Sequence, residues 1–307
     1  MTESPRVCLC VPTFRRPEGL RKLLTQVERL AYAGPIDVIV VDNDAEGRAG
    51  AAVVEAEAWT FRLPLICIVE PRRGQTYAYN CAFALACRAT PAPDYVAVLD
   101  DDEYPDPNWL TEMIRVARAY GADIVGGPVF PVFDRPDHWL AKSGIYAPSR
   151  NATGRVAMIY GAGNMLIRRC VLEDYLDEPF AHAYAYTGGS DYDFFWRCRN
   201  DGRSFAWADD AQVFETTPPS RTTVGYVLRR KFRNGTEATR LERKFLGTAA
   251  GALRRWCIGL GLIGLGIASL PLAALRGRRA IMASLIRAAR GAGRIAAEFD
   301  LHYEQYR

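Results

Sequence analysis

Four consecutive carboxylates, Asp100, Asp101, Asp102 and Glu103, close the apolar run of YVAVLDDDEYPDPNWL, residues 95–110. Neighbouring like charges repel, so the cluster implies a positive partner. Oxygen ligands at a strand end suit a hard divalent cation. Mg2+ or Mn2+ takes one or two protein carboxylates and completes its shell with water and phosphate oxygens. The chemistry implied is a cation carrying a diphosphate. The plain alternative is a solvated acidic turn capping a helix at Asn108; a second pair of carboxylates at another strand end, Asp42 and Asp44, weighs for the metal.

Other residues carry chemistry with less specificity. Asp191 follows two glycines in GGSDYDFFWRCRNDG and reads equally as a helix N-cap or a general base. Asp193 stands one turn before Arg197 and reads as its ion-pair partner. Arg229, Arg230 and Arg233 in LRRKFRNG fall near one another on a helix. They suit a diphosphate or a membrane headgroup surface equally. His138, His182 and His302 lack metal-ligand spacing, and Trp139, Tyr184 and Tyr186 are candidates for stacking on sugars, though packing is the commoner use of such rings.

The elements that must position these groups alternate. RVCLCVP, IDVIVVDN, LPLICIVEP, DYVAVLDD and ADIVGGPV read as strands. RPEGLRKLLTQVERLAY, TYAYNCAFALACRA and NWLTEMIRVARAYG read as helices. That rhythm predicts a mostly parallel sheet covered on both faces, with a ligand crevice beyond the carboxyl ends of the strands. Asp42, Asp44, Arg72, Arg73 and residues 100–103 all fall at such ends. Further on, YGAGNMLIRRCVLEDY reads as a short strand leading into a helix, and VGYVLRRKFRNGTEATRLERKF as a basic helical stretch with a break at Gly235.

The chain has 307 residues and a net charge of +4 that hides an asymmetry. Residues 1–218 hold 22 Lys/Arg against 30 Asp/Glu, and residues 219–307 hold 17 against 5. An acidic body with a basic tail implies two surfaces with two tasks. Residues 256–275, WCIGLGLIGLGIASLPLAAL, contain no charge and span about 30 Å as a helix, enough to cross a bilayer. Arginines flank the stretch on both sides, which disfavours a simple crossing. Residues 280–299 then set Ile281, Leu285, Ile286, Ala289 and Ile295 against Arg287, Arg290 and Arg294, an interfacial pattern. The expectation is a hairpin dipping into one leaflet, ahead of a single crossing or a buried helix pair. The first residues lack a basic region followed by a long apolar stretch, so no signal peptide is expected. The eight scattered cysteines, several inside apolar runs, suit a reducing cytosol.

Six segments, VCLCVPTFRRPEGLRKLL, VIVVDND, GQTYAYNCAFALA, VLDDDEYPDPNWL, GAGNMLIRR and GGSDYDFFWR, stand in the order found in family 2 inverting glycosyltransferases. With PPSRTTVGYVLRRKFRNGTEATR, the chain resembles the succinoglycan-type exopolysaccharide glucosyltransferase subgroup over about residues 5–245. The resemblance implies a GT-A fold: an α/β, Rossmann-like, mostly parallel central sheet with helices on both faces, here followed by C-terminal membrane-associated helices. It implies a catalytic domain over 1–218, a basic helical segment completing the active site over 219–246, and a membrane-associated hairpin and amphipathic helix over 247–307.

The resemblance also implies roles. Pro12, Thr13 and Arg15 would begin the nucleotide pocket; Asp42 would accept a hydrogen bond from the base, with Asp44 beside it. Arg73, Gly74 and Asn80 would line the ribose and diphosphate. Asp100 and Asp102 match the D-x-D pair, with Asp102 on the metal, Asp100 on ribose or metal, and Asp101 among the donor-binding residues. Gly161, Gly163 and Asn164 match the segment lining the sugar and acceptor, and Asp191 matches the general base. Two departures stand out. Tyr79 occupies the position of a frequent diphosphate-contacting arginine, which Arg72 or Arg73 could replace, and Ser190 precedes Asp191 where glutamate is common.

The expected activity is Mn2+- or Mg2+-dependent transfer from a nucleotide-sugar, UDP-linked, to a lipid-linked saccharide at the cytoplasmic face of the inner membrane. The alternative is a polyprenyl-phosphate glycosyltransferase. The first strand is not followed by G-x-G-x-x-G, which argues against a dinucleotide oxidoreductase. An apolar 20-mer inside the basic tail argues against a nucleic-acid partner.

Overall fold

The computed structural model describes residues 4–301; His302 lies outside them. The chain divides into two compact units. The first comprises residues up to Val132, Ala147–Ala185 and Ser190–Thr216; the second comprises Phe133–Tyr146, Tyr186–Gly189 and the chain from Thr217.

The first unit begins with β1 (Val7–Thr13), α1 (Pro17–Val27), β2 (Ile36–Asp42), α2 (Ala49–Glu57), β3 (Leu65–Val69), α3 (Gln75–Arg88) and β4 (Tyr95–Val98). It continues through β5 (Glu103–Pro105), α4 (Trp109–Tyr120), β6 (Ile124–Gly126), β7 (Val129–Phe133), β8 (Gly154–Val156), β9 (Met165–Arg168) and α5 (Arg169–Glu173). The last elements are α6 (Ser190–Asn200), β10 (Phe205–Trp207) and β11 (Val213–Thr217). The main sheet runs β3-β2-β1-β4-β9-β6-β10-β8, and a small sheet runs β5-β11-β7. Strands β3, β2, β1 and β4 are parallel, β9 is antiparallel to β4 and β6, and β10 is parallel to β6.

Both faces of the central strands β1, β2 and β4 are buried, which is why they read as unbroken apolar runs, whereas the edge strand β3 exposes Ile66 and Ile68. Val7, Leu9 and Val11 pack into one core with Val38, Val40 and the apolar stripe Leu20, Leu23, Leu24 and Val27 of α1. Cys8 and Cys10 point the other way, into a core with Ile39, Val41, Phe83, Phe194 and Phe195. This is the period of two read on a sheet with helices on both sides. Burying each such leucine contributes about 2 kcal/mol. Pro17 stands in the first turn of α1, where its missing N–H costs nothing. All eight cysteines are free.

Two details differ from the sequence reading. ADIVGGPV is not one strand: it divides at Gly127-Pro128 into β6 of the main sheet and β7 of the small one. Helix α2, whose AGAAVVEAE lacks a marked apolar stripe, was not foreseen.

The second unit holds α7 (Val224–Phe245), α8 (Ala249–Ala268), α9 (Leu270–Arg276) and α10 (Arg278–Glu298). Helix α7 is continuous through Gly235, contrary to the expected break. Glycine is required there for a different reason: a Cβ would strike the Arg290 carbonyl of α10, as one at Gly293 would strike the Phe232 carbonyl of α7. The helices therefore meet backbone to backbone. The apolar stretch 256–275 is not one helix either, since Pro271 opens α9 after α8 ends. Helix α8 starts earlier and includes Arg254 and Arg255; Arg255 is buried and bonds Glu298 at 2.6 Å. Arg294, expected on a polar helix face, is likewise buried and bonds Glu242 of α7 at 2.7 Å. Helix α8 is long and apolar enough to cross a membrane, and only 17% of its apolar window is buried. Leu253, Leu260, Leu265, Leu272 and Leu275 of α8 and α9 are exposed.

Candidate active site

The parallel register brings the carboxyl ends of four strands to one rim. Thr13 pairs with Asp42, Asp42 with Val69, and Cys10 with Val98 just before the acidic cluster. Because β9 runs the other way, it starts at this rim, and Asn164 precedes Met165, the partner of Val98. Thr13, Asp42, Asp100–Glu103 and Gly163-Asn164 are thereby gathered from four separate parts of the chain.

The four acidic residues do different work. Asp101 ties two loops together: it accepts from Thr13 Oγ1 at 2.9 Å, from the Phe14 N–H at 3.1 Å and from Arg16 Nη1 at 2.8 Å. The same Arg16 nitrogen lies 2.8 Å from Asp102 Oδ2. Asp100 accepts a short hydrogen bond from the buried Tyr79 hydroxyl. Glu103 accepts from the Asp100 N–H at 2.9 Å, and its carboxyl fills the space where a Cβ on Gly163 would sit.

Burial, then the charge of Asp102, pushes the Asp100 carboxyl up to about 7. Burial and then the charge of Asp100 push Glu103 well above the ordinary carboxyl range. Burial also raises Asp101, against the opposing pull of Arg16. Tyr79 is raised well above its ordinary value by burial and the charge of Asp100, so it remains a donor. The donor set of residues 100–103 is all hard oxygen, which fits Mg2+ or Mn2+. Among the described residues no three His, Cys, Asp or Glu side chains converge as a complete cage. A cation here would therefore rely on one or two carboxylates together with ligand oxygens.

The side expected to take the nucleotide is built by short loops after β1, β2 and β3. Asp42 is fully buried and accepts from the N–H groups of Asp44 at 3.0 Å and Ala51 at 2.9 Å, fixing the turn into α2. Arg15, at φ 56°, reaches Asp44 with two nitrogens at 3.0 and 3.1 Å, and that contact holds Asp44 below its ordinary value. Arg72 pairs with Glu70 at 2.9 Å, whereas the Arg73 guanidinium lies 5.4 Å from the Phe14 ring centre. Asn43, a residue the motif reading passed over, bonds the Glu70 and Arg72 carbonyls and takes the Gly74 N–H at 2.8 Å. Gly74 sits at φ 136°, a region open to glycine. Pro12 lies within β1.

Several named residues act from behind the rim. Asn80 clamps Phe180 through both its amide groups, at 2.8 and 2.9 Å, and meets His182 at 3.2 Å. Asn164 is buried and fully engaged, accepting from Trp109 Nε1 at 2.7 Å and donating to the Pro128 and Ala211 carbonyls. Asp191 is the second residue of α6, within the first turn and half-buried. Asp193 is buried and bonds Arg197 at 3.1 Å, as its spacing implied. In the second unit, Arg229 and Arg230 are exposed on α7, and Arg233 pairs with Glu237 at 3.0 Å. Arg240 donates to Thr187 Oγ1 at 2.9 Å, and Glu237 lies against Gly188. The Thr187–Gly189 turn, which leads directly into α6, is thus held by α7. Arg16, Asn43 and Arg240 had no role in the motif reading, and Glu103 stood there only as a member of the acidic cluster; the doubled arginine of TFRRP was the one visible sign.

Residues 8–176 match the description Glycosyl transferase family 2, and residues 95–289 match Glycosyl transferase family group 2. Succinoglycan biosynthesis protein ExoM of Rhizobium meliloti (strain 1021) is 31% identical over 294 residues, covering 92% of this chain and 91% of that protein. Among solved structures, a mannosyltransferase from Pyrobaculum calidifontis in complex with GDP-Man and Mn2+ aligns with a TM-score of 0.63. It shares 19% identity and covers 97% of this chain and 88% of that one. TarS residues 1–349 of S. aureus, in complex with UDP, aligns with a TM-score of 0.56, 14% identity and coverage of 98% and 97%. At such identities the likeness is one of fold, the GT-A fold. The chain is a glycosyltransferase, and it belongs to family 2, in the succinoglycan subgroup.

Proposed function

We propose that this enzyme is an inverting, metal-dependent transferase moving a sugar from a UDP-linked donor to a lipid-linked saccharide in exopolysaccharide assembly. It would act at the cytoplasmic face of the inner membrane. One observation carries the reading: four neighbouring carboxyl groups, residues 100–103, stand just beyond the carboxyl end of β4, with Asp101 and Glu103 buried and Asp100 raised by burial and by the charge of Asp102. Crowded carboxylates repel one another, and a dication with a diphosphate offsets that repulsion. The GDP-Man and Mn2+ bound by the Pyrobaculum mannosyltransferase, and the UDP bound by TarS, support the same chemistry.

Asp100 and Asp102 would hold the cation, whose contribution is Lewis-acid neutralisation of the departing diphosphate. Arg15, Asp42, Asp44, Arg73 and Gly74 would contain the nucleoside and diphosphate; Pro12, Thr13, Asn80 and Asp101 would keep those loops in place. Asp191 would take the proton of the acceptor hydroxyl as its oxygen attacks the anomeric carbon. The bond from that carbon to the diphosphate oxygen breaks in the same displacement, inverting the configuration. Gly163 and Asn164 would shape the acceptor side, and Arg229, Arg230 and Arg233 would supply positive charge for an acceptor diphosphate. Residues 1–218 would be the catalytic domain, 219–246 its basic complement, and 247–307 the membrane anchor. Exposed leucines of α8 and α9 support the anchor.

Thermal stabilisation by a panel of nucleotide sugars, with and without Mn2+, tests the donor and metal. One donor is expected to raise the melting temperature, with the effect lost on chelation; stabilisation indifferent to chelator defeats the metal reading. Product formation on a lipid-diphosphate saccharide rather than a bare lipid phosphate separates this acceptor from the polyprenyl-phosphate alternative.

A further inference from the structure

Two of the three aromatic residues suggested by sequence for sugar stacking are used elsewhere, and the third, Tyr186, is partly exposed. Trp139 lies beneath the Arg278 guanidinium at 5.5 Å, and Tyr184 is buried against Asp193. A different set lies on α6, whose first turn carries Asp191, and on the loop before β9. Tyr160 is 68% exposed, an unusual state for so large a ring. Its ring centre is 5.3 Å from that of Tyr192, and Tyr192 is 6.4 Å from Trp196. The Arg199 guanidinium lies 5.5 Å from the Trp196 ring centre. Tyr192 and Trp196 rest on the core beneath α6, so their positions are fixed from below.

Tyr192, Trp196 and Arg199 have helical spacing (i, i+4, i+7), which puts them on one side of α6. The row starts one residue after Asp191 and extends about 6 Å along the helix axis from Tyr192 to Trp196, close to the width of one pyranose ring. Tyr160 joins it from the loop that leads through Gly161 and Gly163 to Asn164. No atom approaches within 4 Å of where a Cβ on Gly161 would sit, so the space beside Tyr160 is open.

The chemistry of this surface is specific. A pyranose has a flat C–H face and a rim of hydroxyls. It requires aromatic area with polar groups at the edge, and phenols and a guanidinium supply both. We propose that Tyr160, Tyr192, Trp196 and Arg199 form a saccharide-binding subsite that receives the sugar of the acceptor next to Asp191. The inference deepens the acceptor reading above and rests on it.

Saturation-transfer NMR on the full chain, with UDP and Mn2+ present and with cellobiose, lactose and maltose as probes, tests the subsite. At least one disaccharide is expected to bind. Tyr160→Ala should weaken it about threefold to tenfold, as loss of one stacking ring does, while Tyr160→Phe keeps most of the affinity. The ring of Tyr160 is solvent-exposed, so Tyr160→Ala should melt with the parent protein, and its affinity for UDP should match. The proposal is overturned if no probe binds the parent protein, or if Tyr160→Ala binds as tightly. It is also overturned if Tyr160→Ala loses anionic vesicles and not sugars, since the rings would then be a membrane contact. Asp191→Asn separates the two readings. Loss of transfer with normal binding in Tyr160→Ala removes the subsite and leaves the base; retained transfer with weakened binding in Tyr160→Ala removes the base and leaves the subsite.

Discussion

Arg16 Nη1 stands 2.8 Å from Asp102 Oδ2, on the carboxylate proposed to carry the metal. The guanidinium acts as a resident counter-charge for Asp101 and Asp102 together. Removing it strips Asp101 and Asp102 of that counter-charge. Arg16→Met is expected to destabilise the metal-free protein by about 2 kcal/mol, a value reduced from the fully buried case because the arginine is partly exposed. Mn2+ should recover part of that loss. Melting curves with and without Mn2+ check it; a loss that Mn2+ does not reduce goes against a shared counter-charge role.

The raised carboxyl of Asp100 gives stability a pH dependence. Its folded value of about 7 lies above the ordinary 3.8, pushed there by burial and then by Asp102 and Asp101, with Tyr79 opposing and Glu215 adding to the rise. The stabilising contribution is fully present below 3.8 and is lost as pH rises through 7. Asp101 and Glu103 are shifted in the same direction. Asp44 and Glu70 are shifted down, so their contributions are lost only at lower pH. The metal-free protein should therefore melt lower at pH 8 than at pH 5.5, and the gain from Mn2+ should be larger at pH 8. Equal gains at both pH values would count against cation binding on this cluster.

Asp191→Asn keeps the size of the side chain and removes its basicity. Turnover is expected to fall by a factor of about a hundred to ten thousand, the range general base catalysis supplies. Nucleotide affinity and melting temperature should stay near those of the parent. Single-turnover transfer measured beside UDP binding distinguishes this from misfolding.

Thr187 accepts from Arg240 on the turn that leads into α6. Arg240 thus fixes the turn that precedes Asp191, the proposed base, and small displacements of such a group are costly. Arg240→Ala should lower kcat about tenfold with the donor KM nearly unchanged, and Arg240→Lys should restore part of it. A change confined to melting temperature would make the contact merely structural.

The exposed leucines of α8 and α9 predict binding to anionic vesicles. Replacing Leu253, Leu260 and Leu265 together with glutamine should release the protein into the supernatant on sedimentation. Each fully inserted leucine contributes about 2 kcal/mol. Persistent sedimentation after the triple change would locate the membrane contact elsewhere.

The scaffold was legible where one rule acted alone. Val7, Leu9 and Val11 alternate with Cys8 and Cys10 because both sheet faces are covered, and an apolar run with this alternation has few other homes. The Pro17 start and the stripe of α1 were equally local. The residues that hold the rim were not legible, because their partners are remote in the chain. Arg16 meets Asp101 across 85 positions, and Asn43 reaches Gly74 across 31. Strand β5 has only three residues and exists because β11 pairs with it. The polarity of Arg255 and Arg294 misled for the same reason: each is buried opposite a carboxylate that no local pattern reveals.

The crossing of α7 and α10 at Gly235 and Gly293 has a practical corollary for engineering. Main chains that touch leave no slack for a methyl group, so the two segments must be inherited as a matched pair. A chimera that grafts a foreign tail after residue 246 would bring side chains into that seam, whereas one that takes the exchange back to Thr223 carries its own fit along.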